Sequence, residues 1–197
     1  MKTVFFDIDT QIDFVFPAGA LYARDAATIV DTVARLNRYA AANAIPVVST
    51  IDAHSENDPE FAEWPAHCVV GTVGQQKPAD TLLERRVIVP NFDTAERIDT
   101  VQQIIVEKVH LDCFTNPNMP WIIEALNADR YIVYGVVTEL CVAFAAFGLL
   151  QTGKRVEIVT DAVRSLSDQA ERDTLERFRQ AGGVLTTAEA AVNGWLT

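Results

Sequence analysis

Asp9, Lys108 and Cys141 each follow a short run of apolar and β-branched residues. Val4-Phe5-Phe6-Asp7-Ile8 precedes the acid, Ile104-Ile105-Val106-Glu107 precedes the lysine, and the run 131–136 ends shortly before the thiol. If these runs are strands, their ends bring a carboxylate, an ammonium and a thiol to one edge of a sheet. A thiol near a helix N-terminus and a cation has a lowered pKa, which is how a cysteine nucleophile is made. A neighbouring carboxylate can take the thiol proton and later return it to a leaving amine. Each residue also has a plainer use: a cysteine in an apolar helix fills a core, an aspartate after a strand caps or turns the chain, and a lysine is solvated.

A second constellation follows the next strand. Ser49-Thr50-Ile51 runs into Asp52-Ala53-His54, and Trp64-Pro65-Ala66-His67-Cys68 comes soon after. An Asp-x-His pair with another histidine 13 residues on offers one carboxylate and two imidazoles, a donor set suited to a divalent transition metal. The plain alternative is a turn with two solvated rings.

Positioning these groups requires alternating strands and helices. Apolar runs at 4–8, 46–50, 87–89, 104–107, 131–136 and 156–160 predict six strands. Several are apolar throughout, as expected of parallel strands covered on both faces. Between them, 25–43 carries Ile29, Val33, Leu36 and Ala40 on one helical stripe; 138–150 reads as a buried helix with Gly153 beyond it; 167–181 reads as a half-charged helix stopped by Gly182-Gly183. The stretch 51–86 is rich in Pro, Gly and polar residues and reads as a functional loop region. The expected fold is a single α/β domain over 1–197, a mostly parallel six-stranded sheet with helices on both faces.

Composition narrows the function. Among 197 residues, 16 Lys and Arg face 27 Asp and Glu, for a formal charge of −11. Nucleic acid and anionic membrane both need a basic footprint, so neither is an expected partner. No apolar run approaches the roughly 20 residues of a membrane-spanning helix. The acid at position 7 breaks up an export leader, and three unpatterned cysteines suit free thiols, so a cytoplasmic location is expected.

Three segments, Asp9-Thr10-Gln11-Ile12-Asp13-Phe14, Glu107-Lys108 and Gly135-Val136-Val137-Thr138-Glu139-Leu140-Cys141-Val142, resemble the signature segments of the isochorismatase-like cysteine hydrolases. The segments Asp52-Ala53-His54 and Trp64-Pro65-Ala66-His67-Cys68-Val69-Val70-Gly71-Thr72 are similar to the nicotinamidase branch of that family. The resemblance implies Asp9 as general base, Lys108 as catalytic lysine and Cys141 as nucleophile. It implies a metal, zinc first and iron or manganese otherwise, on Asp52, His54 and His67, with Glu60 as an additional candidate. It implies a cis peptide at Val136–Val137, with the Val137 and Cys141 amides as oxyanion hole. Phe14 and Trp64 match the aromatic walls of a pyridine pocket.

The implied activity is hydrolysis of a small amide, nicotinamide to nicotinate and ammonia, through a thioester on Cys141 in a homo-oligomer. Alternatives are a family amidase for carbamoyl or ureido compounds, an isochorismatase-type hydrolase, or a non-catalytic binding subunit. One departure is Pro17-Ala18-Gly19-Ala20-Leu21, where an alanine replaces one glycine of the family run. Another is the lack of a glycine after Lys108. Cys68 and Cys113 are expected to be non-catalytic, and His110 to be a pocket or surface residue. Because the triad and the metal ligands fall on different strands, thiol reactivity is expected to survive loss of the metal.

Overall fold

A computed structural model of the chain describes residues 1–94 and 98–193. Seven strands form one sheet: β1 (Thr3–Ile8), β2 (Val47–Asp52), β3 (Arg86–Val89), β4 (Gln103–Lys108), β5 (Arg130–Val136), β6 (Arg155–Arg164) and β7 (Val184–Thr186). Their spatial order is β3-β4-β2-β1-β5-β6-β7, and every pairing is parallel. The six expected strands are all present. The seventh corrects the count. It is three residues long, lies at the edge beside β6 and is nowhere fully buried, so it lacks the apolar run that marks the central strands.

Every residue of β1, β2 and β5 is buried, because helices cover both faces. The helices are α1 (Ile12–Val15), α2 (Val30–Ala42), α3 (Met119–Leu126), α4 (Ala143–Leu150), α5 (Asp168–Gln180) and α6 (Ala188–Asn193). Side chains alternate along each strand. Val4, Phe6 and Ile8 join Met119, Ile122, Leu149 and Phe178 in one core. Phe5, Val47, Ile132 and Tyr134 join Ile29, Val33, Leu36 and Ala40 in the other. The predicted 25–43 helix is a 3-10 turn (Ala26–Ile29) followed by α2, with the expected stripe buried. Among the described residues, no helix is long and apolar enough to cross a membrane.

A polar network crosses the second core. Asp7, wholly buried in β1, accepts from Asn37 Nδ2 (2.9 Å) and Thr10 Oγ1 (2.7 Å) and pairs with Lys77 Nζ at 3.0 Å. Buried charge of this kind is tolerated only when fully partnered. Here it ties α2 and the 51–86 region to the central strand beside Asp9.

The chain runs leftward from β1 to β2 and returns on the other side through β5. The switch point between β1 and β5 leaves a crevice at the carboxyl ends of the strands. Gly135 makes that junction possible. It has φ +121°, and a β-carbon there would collide with the Ile8 carbonyl of β1.

Candidate active site

Four strand ends converge at this crevice. Asp9 follows β1 in a left-handed conformation, φ 47°, which aspartate tolerates better than most residues. Asp52 and Lys108 are the last residues of β2 and β4 and are partners in register. Val136 ends β5, the Val136–Val137 peptide is cis, and Cys141 lies in the turn Thr138–Val142 that leads into α4. That turn is closed by an i→i+5 bond from Val142 N–H to the Val137 carbonyl (3.2 Å) and is kinked at Leu140 (φ −112°, ψ −109°), which departs from helical geometry. The predicted 138–150 helix is therefore interrupted at the nucleophile candidate, where extra backbone is a recurrent feature of functional sites.

Lys108 is the hub. Its Nζ lies 2.9 Å from Asp9 Oδ2, 2.5 Å from Asp52 Oδ1 and 3.6 Å from Cys141 Sγ. All four residues are buried. Burial alone would strip Lys108 of its proton, but Asp52 and Asp9 outweigh that and hold it well above the ordinary lysine range. The Cys141 thiol is pushed well up, first by burial and further by the Asp9 and Asp52 carboxylates, with Lys108 opposing. The expectation of a lowered thiol pKa is thus reversed, because burial outweighs Lys108 and two acids flank that one cation. Thr50 Oγ1 donates to Asp9 Oδ1 at 2.6 Å and fixes that carboxylate.

The candidate metal ligands meet beside this cluster. One donor atom each from Asp52, His54 and His67 falls within a 4.8 Å span. Asp52 Oδ2 is 3.9 Å from both His54 Nε2 and His67 Nε2, and Glu60 Oε1 is 4.0 Å from His67 Nε2. His67 Nδ1 contacts the Pro65 carbonyl at 2.7 Å; a carbonyl only accepts, so Nδ1 carries the proton and Nε2 keeps its lone pair free for a cation. His54 is completely buried, and neither ring nitrogen makes an aligned hydrogen bond. A buried orphan imidazole facing a carboxylate and a second imidazole fits a divalent cation.

Residues that the sequence did not single out set this geometry. Gln11 bridges the backbone of Asp52, accepting from its N–H at 2.6 Å and donating to its carbonyl at 2.9 Å. Asp13 accepts from Cys68 N–H at 2.7 Å and Ala20 N–H at 2.9 Å, joining the loop that carries His67 to the 17–21 run. Gly19, retained in that run, packs where a side chain would strike the Asp13 backbone. Asp58 lies 3.1 Å from His54 Nδ1. Gln11 and Asp13 stand inside the quoted motif, so only their roles were hidden; Asp58 carried no signal beyond proximity to His54.

Asp9, Phe14, Asp52, Glu60, Trp64, His67, Val136, Val137 and Cys141, each expected at the site, line one pocket. Leu21, Leu111, Leu140 and Leu166 complete its walls. The Phe14 ring stands 5.3 Å from that of His67. Cys68 and Cys113 are buried away from the pocket lining, and burial pushes the Cys113 thiol up to about 12. His110 is exposed.

The isochorismatase domain family matches residues 3–190. A nicotinamidase of Escherichia coli is 27% identical over 208 residues, covering 91% of this chain and 92% of that protein. The crystal structure of a Pyrococcus horikoshii pyrazinamidase in complex with zinc superposes with TM-score 0.79 at 24% identity, covering 95% of this chain and 99% of the other. An N-carbamoylsarcosine amidase of Thermoplasma acidophilum superposes with TM-score 0.76 at 22% identity, covering 95% and 97%. With nearly its whole length matched, this chain belongs to the isochorismatase family.

Proposed function

We propose that the protein is a cysteine amidohydrolase that converts nicotinamide to nicotinate and ammonia. The observation that carries this reading is the position of Lys108 Nζ, within reach of Asp9, Asp52 and Cys141, which themselves line an aromatic-walled pocket. Asp9 takes the Cys141 proton as sulfur attacks the amide carbon, and Lys108 stabilises the thiolate. The Val137 and Cys141 amides receive the oxyanion. Asp9 then protonates the leaving nitrogen, the C–N bond breaks, and ammonia departs. Water, deprotonated by Asp9, attacks the acyl carbon of the Cys141 thioester; the C–S bond breaks, Asp9 returns the proton to the Cys141 sulfur, and the carboxylic acid is released.

Asp52, His54 and His67, with Glu60 alongside, would hold a divalent ion, zinc first. Bound there, it supplies a Lewis-acid contact that orients a pyridine nitrogen. Phe14 and Trp64 flank the ring. Among the described pocket residues there is no arginine, and Lys108 is already paired with two acids, so no side chain of the pocket is a free cation for an anionic carbamoyl substrate.

Ammonia release from nicotinamide, pyrazinamide and ureido compounds tests the proposal, with and without a chelator. Turnover of nicotinamide that is lost on chelation and restored by zinc supports it. Full activity of the metal-free protein on a non-pyridine amide overturns the substrate and leaves the cysteine chemistry standing.

A further inference from the structure

Asp58 belongs to none of the motif segments, yet its two oxygens do separate jobs at the metal site. It precedes the 3-10 turn Pro59–Ala62. Oδ1 accepts the Glu60 backbone N–H at 3.0 Å and caps that turn. Oδ2 lies 3.1 Å from His54 Nδ1. Asp52 cannot serve the same nitrogen, because its Oδ1 is engaged by Lys108 and its Oδ2 faces the other side of the ring, at Nε2. Phe61, on the capped turn, packs its ring 5.4 Å from that of His54, tilted, and 5.7 Å from that of His67, edge to face.

We propose that Asp58 is a positioning residue that sets two candidate metal ligands at once. Oδ2 keeps the proton on His54 Nδ1 and turns Nε2 toward the cation; Oδ1 fixes the turn that places Glu60 beside His67. This rests on the metal reading given above. The Nδ1–Oδ2 contact is not an aligned hydrogen bond, so Asp58 acts on the ring by its charge at 3.1 Å. A carboxylate beside the second nitrogen of a metal-bound imidazole fixes its tautomer and raises its basicity, and loss of such a partner costs about 10–100-fold in affinity.

Asparagine caps a turn as well as aspartate, so Asp58→Asn keeps the Glu60 turn and removes only the charge facing His54, whereas Asp58→Ala removes both. Zinc affinity is measured on the full chain by chelator competition, and coordination is read from the cobalt visible spectrum. Asp58→Asn is expected to bind zinc about 10-fold more weakly, with cobalt bands of unchanged pattern, and Asp58→Ala more weakly still. Wild-type affinity in Asp58→Asn overturns the proposal while leaving the metal site standing. Cobalt bands of a different coordination number overturn it by making Asp58 a direct ligand. A wild-type protein that takes up no zinc overturns both this proposal and the metal reading beneath it.

Discussion

Asp52 faces Lys108 across the β2–β4 pairing and divides its two oxygens between two sites. Oδ1 sits 2.5 Å from Lys108 Nζ, and Oδ2 sits 3.9 Å from the Nε2 atoms of both His54 and His67. Register explains the contact, since Asp52 and Lys108 are aligned at the ends of adjacent parallel strands. The separate strands on which sequence reasoning placed the triad and the ligands are therefore neighbours. The two centres share a carboxylate.

That sharing predicts a sign that independent sites would not give. The Asp52 charge raises the Cys141 pKa and occupies Lys108. Asp52→Asn should lower zinc affinity at least tenfold and yet speed alkylation of Cys141 at neutral pH several-fold. His54→Ala keeps the Asp52–Lys108 pair, so it should lose metal without changing the alkylation rate of the metal-free protein. Iodoacetamide kinetics on chelator-treated proteins decide this. Slower alkylation in Asp52→Asn would mean that Asp52 positions Lys108 more than it competes for it.

Cys141→Ala should abolish nicotinamide turnover, by roughly a thousandfold or more, because the covalent route disappears. The thiol is buried beside α4 residues and its replacement removes one heavy atom, so the fold should survive. Circular dichroism and ammonia release check the two halves. Substantial residual turnover would remove the thioester from the mechanism.

The central strands were legible because burial on both faces forces nearly continuous apolar runs, as in 4–8, broken only by Asp7, and 131–136. Their ends carry the three candidate catalytic residues, Asp9, Lys108 and Cys141. The edge strand Val184–Thr186 was not legible, since a half-exposed strand needs no such run. Helix α3 was missed behind Asn116-Pro117-Asn118, which reads as a turn; it starts at Met119 and ends where Asn127 takes a left-handed cap. Asp7 was read only as part of a strand, because its partners Asn37 and Lys77 come from distant segments. The same holds for Asp52 with Lys108, where each residue type was noticed and their pairing depends on sheet order.

Lys108→Met should destabilise the protein by about 3–5 kcal/mol, the cost of leaving buried acids without their cation. Urea unfolding measures it. Adding Asp52→Asn should recover part of the loss, because one stranded carboxylate is removed. Alkylation of Cys141 in Lys108→Met should shift to higher pH, since the one cation that favours the thiolate is gone. Additive effects of the two substitutions would mean that Asp52 and Lys108 do not interact energetically.

At the opposite end of the sheet, Glu157 should govern acid stability without touching catalysis. Arg130 and Arg155 are neighbours in register on β5 and β6, and Glu157 accepts from Arg130 Nη2 at 2.8 Å and from Arg155 Nε at 2.6 Å. Burial pushes its carboxyl up, but the hydrogen bonds and charges of the two arginines outweigh this and hold it below the ordinary value. A carboxylate depressed in the folded state adds stability above its unfolded pKa of about 4.3, and that stability fades as pH falls through the folded value. Glu157→Gln should therefore cost roughly 3 kcal/mol at pH 7, with a smaller difference from wild type below pH 4. Thermal unfolding across pH 3–8 reads this directly, with kcat on the proposed substrate unchanged. An equal stability difference at both ends of that range would show that Glu157 contributes through packing and not through its charge.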